Sequence, residues 1–180
     1  MHDLSDAELI DRAQNGDPEA VGLLYDRHRT RIFRYIRARI YDTQLAQDLT
    51  GEVFLQMVAH LTDYRVTAVP FSAWLYRIAH NHLVNHIARK ESRYQHLPLA
   101  LAGDIGHPEA NPARLVERQL TLETVQQALE GIDDTQREVI ILRFWLGYSL
   151  KETAVMLGKS VAAIKSQQHR GLLALEAALK

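Results

Sequence analysis

Helical periodicity is the property of this sequence that most restricts its fold. Apolar residues recur three and four positions apart: Val21, Leu24, Tyr25, Ile32, Tyr35 and Ile36 in one stretch, then Leu45, Leu49, Val53, Phe54 and Val58. A third stretch carries Trp74, Leu75, Ile78, Ala79, Leu83 and Ile87. Residues at this spacing share one face of an α-helix, so each stretch can bury a stripe against its neighbours. No run alternates apolar and polar residues with the two-residue period of a half-buried strand. The five Pro and nine Gly read as boundary markers. The expected fold class is all-α.

Local signals place the boundaries. Ser5 and Glu8 form a capping box, and Gly16-Asp17-Pro18 supplies a stop, an N-cap and a first-turn proline. Helices are expected from Pro18 to about Ile40, from Thr43 to about Leu61, and from Pro70 to about Arg93. Between His96 and Asn111 the periodicity lapses, and Pro98, Gly103, Gly106, Pro108 and then Pro112 follow closely. Such composition reads as a linker at a domain boundary. Periodicity resumes at Asn111-Pro112 and runs to Glu130, and Asp133 caps a helix to about Trp145. Ser149 and Glu152 make a second capping box, Leu157-Gly158 a C-terminal stop, and Ser160 caps a last helix from Val161 to about Leu179. Two helices joined at a glycine turn are the helix-turn-helix pattern. The expected organisation is two small helical domains, 1–95 and 112–180, joined by a flexible linker over 96–111.

Composition narrows the function classes. Without Cys there are no disulfides, zinc knuckles or thiol nucleophiles, and the missing disulfide framework favours a reducing cytoplasm. No apolar run approaches the ~20 residues that span a bilayer, and MHDLSDAELIDRAQ lacks a signal peptide's charged and apolar regions, so no direct membrane insertion is expected. Neither a Walker loop nor a Gly-x-Ser-x-Gly or Gly-x-Gly-x-x-Gly motif occurs. The expectation is therefore no enzyme, no catalytic residue and no cofactor. His82 and His86 stand four apart like a zinc pair, with His80 nearby, but the glutamate of an HExxH site is absent, so no metal site is expected.

The net charge of −1 hides an uneven distribution. Arg27, Arg29, Arg31, Arg34, Arg37 and Arg39 crowd one stretch with no acid between them. Arg77, Arg89, Lys90 and Arg93 accompany four His against Glu91 alone, and Lys159, Lys165, Arg170 and Lys180 face only Glu176. Any one such run is ordinarily a solvated helix face. Three on predicted helices point to nucleic acid.

Three segments carry candidate function. In the helix-turn-helix, the second helix enters the major groove. With Ile164, Leu172, Leu175 and Ala178 inward, its outward set is Ser160, Val161, Ala162, Lys165, Ser166, Gln168 (or Gln167), His169 and Arg170. Lys151 and Thr153 on the preceding helix are placed to touch the DNA backbone. Cations of this set suit phosphates or guanine, and a Gln suits adenine. In the segment DLTGEVFL, Asp48, Glu52 and Gln56 form an acidic stripe, either solvated or facing a basic partner. From Tyr64 to Arg93, Tyr64, Phe71, Trp74 and Tyr76 interleave with Arg65, Arg77, Asn81, Asn85, Arg89 and Lys90, the mixture that captures unpaired bases. The ordinary alternative is that Phe71 and Trp74 are simply core.

DLTGEVFL, FSAWLYRIAHNHLVNHIARK and VIILRFWLGYSLKETAVMLGKSVAAIKSQQHRGLLAL, in this order, resemble the extracytoplasmic-function sigma factors, a subfamily of the bacterial sigma-70 family. The resemblance covers nearly the whole chain. It implies a promoter-recognition subunit of RNA polymerase, with region 2 over 1–95 and region 4 over 112–180. By resemblance, Asp48, Leu49, Glu52, Val53, Phe54 and Gln56 bind the clamp helices of the polymerase largest subunit, and the flap region is a second contact. Tyr64, Arg65, Phe71, Tyr76, Arg77, Asn81, Asn85, Arg89 and Lys90 fall in the segment that recognises and melts the −10 element, where the loop before Phe71 holds a flipped base. The linker would thread toward the polymerase active-site cleft. Lys151 and the outward set of the last helix read the −35 element. An anti-sigma factor is a further partner that the resemblance implies.

Departures are visible. Ala162, Ala163 and Gln167 stand where the family often shows Gly, Thr and Arg, which implies fewer phosphate contacts and a shallower salt dependence. Gly51 replaces a more usual Gln inside a helix. The chain stops at Lys180, so no appended sensory domain is expected. Two rival readings are a stand-alone helix-turn-helix regulator binding duplex DNA as a dimer, and a helical metalloenzyme using the His cluster.

Overall fold

The computed structural model describes residues 4–95 and 114–180; the expected linker and the helical restart at Asn111-Pro112 lie outside them. Within them the fold is all-α, as periodicity required. The helices are α1 (Asp6–Gln14), α2 (Pro18–Arg37), α3 (Thr43–His60), α4 (Phe71–Gln95), α5 (Arg114–Glu130), α6 (Asp134–Ile140), α7 (Leu150–Leu157) and α8 (Val161–Ala178). A 3₁₀ turn, Leu61–Asp63, follows α3, and α6 continues as a π-helical turn, Ile141–Trp145.

The caps form where side-chain chemistry dictated. Both bonds of the Ser5/Glu8 and Ser149/Glu152 boxes are made. Asp17, Asp42, Asp133 and Ser160 accept from backbone amides of the first turns of α2, α3, α6 and α8. Each satisfies donors that a helix start leaves unpaired. α4 begins at Phe71 rather than Pro70, and α2 ends at Arg37, three residues before the predicted end.

The helices α1 to α4 pack around Leu9, Leu24, Ile36, Val53, Met57, Leu75 and Leu83, and α6 to α8 pack around Val139, Ala154 and Ile164. The two units touch. One buried apolar cluster runs from Leu9 through Leu75 to Ile141, Leu142 and Met156. The pattern of each helix predicted its buried face, but not that these faces would join across the units.

Glycine does more than mark boundaries, because Gly22, Gly51 and Gly171 lie inside helices. Gly158 closes α7 in the left-handed conformation, φ 62°, which glycine adopts without steric cost. Gly171 is buried where α8 crosses α6; a Cβ there would sit 3.1 Å from Ile140 Cγ1 and 3.3 Å from Gln136 Cβ. That crossing explains why Leu172, expected inward, is exposed: Gly171 occupies the inner position. Gly171→Leu is expected to cost ~1–3 kcal/mol by overpacking. Urea denaturation of the variant reads this directly, and a midpoint equal to that of the parent chain would refute the close-approach role.

His28 is 7% exposed, edge-on to Phe71, with Nε2 2.9 Å from Asp6 Oδ2. Burial pushes its pKa below the ordinary value; Asp6 opposes this, and Arg27 and Arg31 add to it. As pH falls through the unfolded value of about 6.5, the unfolded chain takes up a proton that the folded chain refuses. Stability therefore declines on acidification through that window and is retained above it. A plot of urea midpoint against pH should lose part of its slope in His28→Gln; identical slopes would exclude His28 as the cause.

Candidate nucleic-acid interface

The helix-turn-helix is built by α7, the Gly158 turn and α8. Ile164 is buried and fixes the roll of α8, leaving Ser160, Val161, Ala162, Lys165, Ser166, His169 and Arg170 exposed. Arg170 donates to Ser166 Oγ at 2.9 Å, one helical turn back. Gln168 is half-buried instead, and its Oε1 accepts from Arg143 Nε at 2.8 Å. Arg143 also donates to the Tyr148 carbonyl, so it ties the start of α7 to α8. Lys151 is exposed, whereas Thr153 is fully buried in the motif's interior.

On α4, Arg77, Asn81, Asn85 and Arg89 lie four residues apart and are all exposed, a continuous stripe of cations and amides. Lys90 is exposed beside it. At the N-terminal end of the stripe, residues 65–70 form a loop exposed at every position, including Arg65. Beneath it, Tyr64, Phe71 and Trp74 pack edge-on and tilted with ring centroids 4.8 to 5.3 Å apart. Phe71 is 4% exposed and belongs to the core; Tyr64 and Trp74 are half-buried and form the loop's aromatic floor. Gln14 clamps the loop's start, its Nε2 donating at 2.8 Å to both the Leu61 and Tyr64 carbonyls. An aromatic floor, an exposed loop and a cationic stripe together suit a single strand with splayed bases. Nothing in the sequence singled out Gln14.

Tyr76 does not join that surface. It is 5% exposed and donates at 2.7 Å to Glu138 of α6. The packing of α4 against α7 thus turns this aromatic away from the open face.

On α3, Leu49, Val53 and Phe54 are buried and hold the helix in the core. Asp48, Glu52 and Gln56 are exposed on the opposite face. Gln44 donates to Asp48 at 3.0 Å, and His82 Nδ1 lies 3.6 Å from Glu52. The same face carries Leu55, 71% exposed, and Val58, which helical periodicity placed on the buried stripe and which is exposed instead. An acidic stripe beside uncovered leucine and valine is suited to a basic, partly apolar helical partner.

The run of arginines on α2 and the turn after it, expected as part of a nucleic-acid footprint, is largely engaged within the chain. Arg27 pairs with Asp6 at 2.8 Å, and Arg37 donates to the Ile40 carbonyl. Three others reach the second unit: Arg31 lies 5.0 Å over the Tyr148 ring, Arg34 donates to the Trp145 carbonyl, and Arg39 pairs with Glu138. Spacing gives the charge density of a run but not which way each guanidinium turns.

Residues 24–93 match the family described as Sigma-70 region 2, and residues 122–175 match Sigma-70, region 4. The ECF RNA polymerase sigma factor BldN of Streptomyces coelicolor is 34% identical over 169 residues, 93% of this chain. The chain spans 63% of that relative's length. The ECF RNA polymerase sigma factor SigD of Mycobacterium tuberculosis is 30% identical over 172 residues, covering 93% of this chain and 81% of the relative. Among solved structures, CnrH in complex with the cytosolic domain of CnrY superposes with a TM-score of 0.71 at 27% identity, over 97% of this chain and 96% of that one.

Proposed function

Because the chain belongs to the extracytoplasmic-function sigma factors of the sigma-70 family, we propose that it divides promoter recognition between its two helical units. The protein is an RNA polymerase sigma factor, which directs core polymerase to specific promoters and assists their opening. Sigma factors are not enzymes, and this chain acts by binding alone, in the cytoplasm with the polymerase and promoter DNA. No helix among the described residues is long and apolar enough to cross a membrane.

The observation that carries the division is the exposed stripe Arg77, Asn81, Asn85 and Arg89 running up to a wholly exposed loop with an aromatic floor. In this reading region 2, 1–95, captures and melts the −10 element there, with Arg65 and Lys90 on the backbone and Tyr64 and Trp74 behind the captured base. Phe71 supports that floor from the core. Region 4, 112–180, reads the −35 element through Ser160, Val161, Ala162, Lys165, Ser166, His169 and Arg170, with Lys151 on a phosphate. Gln168 acts there by holding Arg143. Asp48, Glu52, Leu55 and Gln56 meet the clamp helices of the largest subunit, while Leu49, Val53 and Phe54 keep that face in register. The flap region of polymerase and an anti-sigma factor are the further partners proposed; CnrH, a structural relative, was solved in complex with the cytosolic domain of CnrY.

Run-off transcription with sigma-free core polymerase tests this reading. Start sites from a genomic promoter pool are expected only when the protein is added. If the protein alone footprints palindromic duplex sites and never supports initiation, a stand-alone regulator is the correct description.

A further inference from the structure

The exposed loop 65–70 is rooted on α1, a helix outside the residues 24–93 that match region 2. That helix is fixed at both ends. Its first turn is closed by the Ser5/Glu8 box, and Asp6 holds Arg27 at 2.8 Å and His28 at 2.9 Å. In its last turn, Arg12 pairs with Asp17 at 2.6 Å. Leu9 and Ile10 are buried between these points. α1 is thus a rigid mount, and Gln14 is its last residue.

A side-chain amide has two N–H bonds. Nε2 of Gln14 lies 2.8 Å from the Leu61 carbonyl and 2.8 Å from the Tyr64 carbonyl. These carbonyls bracket the 3₁₀ turn Leu61–Asp63, after which Tyr64 goes over to extended backbone, φ −65° and ψ 137°. A peptide group is planar, so fixing the Tyr64 carbonyl also fixes the direction in which the chain enters Arg65. The loop's own bonds define that direction weakly. Arg65 approaches the Thr62 and Tyr64 carbonyls at 3.4 Å, and the Val69 amide donates to Thr67 Oγ1 at 3.1 Å. Those contacts stay within residues 62–69, whereas Gln14 ties the loop to a helix 47 and 50 residues earlier.

The same helix supports the aromatic floor. His28, held by Asp6 of α1, lies edge-on to Phe71 with centroids 5.5 Å apart, and Phe71 carries Tyr64 and Trp74. Loop root and floor therefore share one mount. A base taken out of its stack loses contact with its neighbours, and aromatic side chains replace that contact. Ordering a loop at the moment of binding subtracts from affinity, so a root fixed beforehand raises it.

We propose that Gln14 is a positioning residue for single-strand capture: its two bonds fix the root of loop 65–70 and so shape the recess that holds one unpaired −10 base. It acts through the loop and the floor rather than on the base. The proposal rests on the −10 reading given above and adds a residue that determines its specificity.

The test uses holoenzyme reconstituted from core polymerase and the full chain, with a promoter recovered by the run-off experiment. The probes are its labelled non-template −10 strand and copies carrying an abasic site at each −10 position in turn. Fluorescence anisotropy at fixed salt gives an affinity for each. In the parent chain one abasic position should weaken binding on the order of tenfold, the loss of one base–aromatic stack. Gln14→Leu keeps the size of the side chain and removes both donors, and should reduce that ratio to roughly twofold. Gln14→Glu, nearly isosteric and without donors when ionised, gives the same comparison if the leucine variant does not fold. Gln14→Lys restores an N–H donor and should recover most of the ratio.

A merely structural role would lower the melting temperature and core capture without changing the ratio between intact and abasic strands. A parent-sized ratio in the leucine or glutamate variant overturns the proposal. So does a flat ratio in Gln14→Lys, or a parent chain indifferent to every abasic site. Absence of start sites with the parent chain would overturn the sigma reading itself, and this proposal with it, before any change at Gln14 is compared.

Discussion

Reversing charge at Asp48 and Glu52 together is expected to weaken binding to core polymerase by at least ~100-fold, with the fold intact. The two carboxylates stand one turn apart on α3, exposed, while the other side of the helix buries Leu49, Val53 and Phe54. Exchanging them for lysine removes only a hydrogen bond from Gln44 and a 3.6 Å approach of His82, neither inside the core. Like charges brought together in an interface cost several kcal/mol, whereas on a solvated face they cost almost nothing. The double variant should therefore keep its far-ultraviolet dichroism and melting temperature and lose capture by immobilised core polymerase. Undiminished capture would remove α3 from the polymerase contact. Leu55, largely uncovered on the same face, should follow the same pattern when changed to Asp.

Removing Arg137 should have the largest effect on stability. Its side chain is buried and donates to three carbonyls: Leu129 at 2.7 Å, Glu130 at 3.0 Å and Ile132 at 3.0 Å. The first two are the last residues of α5, whose terminal carbonyls have no partners within the helix. A cation there also meets the negative end of the helix dipole. Asp134 lies 3.0 Å from Nη1 and balances the charge. Arg137→Met fills similar volume but orphans these acceptors away from water. The expected cost is about 3 kcal/mol or more, a fall in melting temperature on the order of 10–20 °C for a unit this small. A shift of only a few degrees would mean that water replaces the guanidinium.

Local interactions explain what could be read without coordinates. Capping boxes, the Asp17-Pro18 start and the Gly158 stop act over three or four residues, so residue order nearly suffices to locate them. The exposed half of α8 followed for the same reason, since Ile164 fixes its roll. The readings that changed all involve groups distant in sequence. Tyr76 looked like a stacking aromatic in an arginine-rich segment, and its hydroxyl is bound by a carboxylate 62 residues away. Gln168 looked like a base reader and is held by Arg143. Leu172 looked inward until Gly171 took the crossing with α6.

Periodicity, caps and the absence of any strand pattern determined that this chain is helical, where most helices begin and end, and which segments carry charge and aromatic side chains. These follow from interactions within a turn or two of helix, which every copy of the sequence makes in the same way. Only the tertiary structure decided where the arginines of α2 point, which apolar residues of α3 remain uncovered, and that Glu138 joins the units. Those outcomes depend on which helix faces meet. Amphipathic helices bury their stripes in many arrangements, and the arrangement adopted is chosen by close crossings such as Gly171 and by buried polar groups that find all their partners in one geometry only.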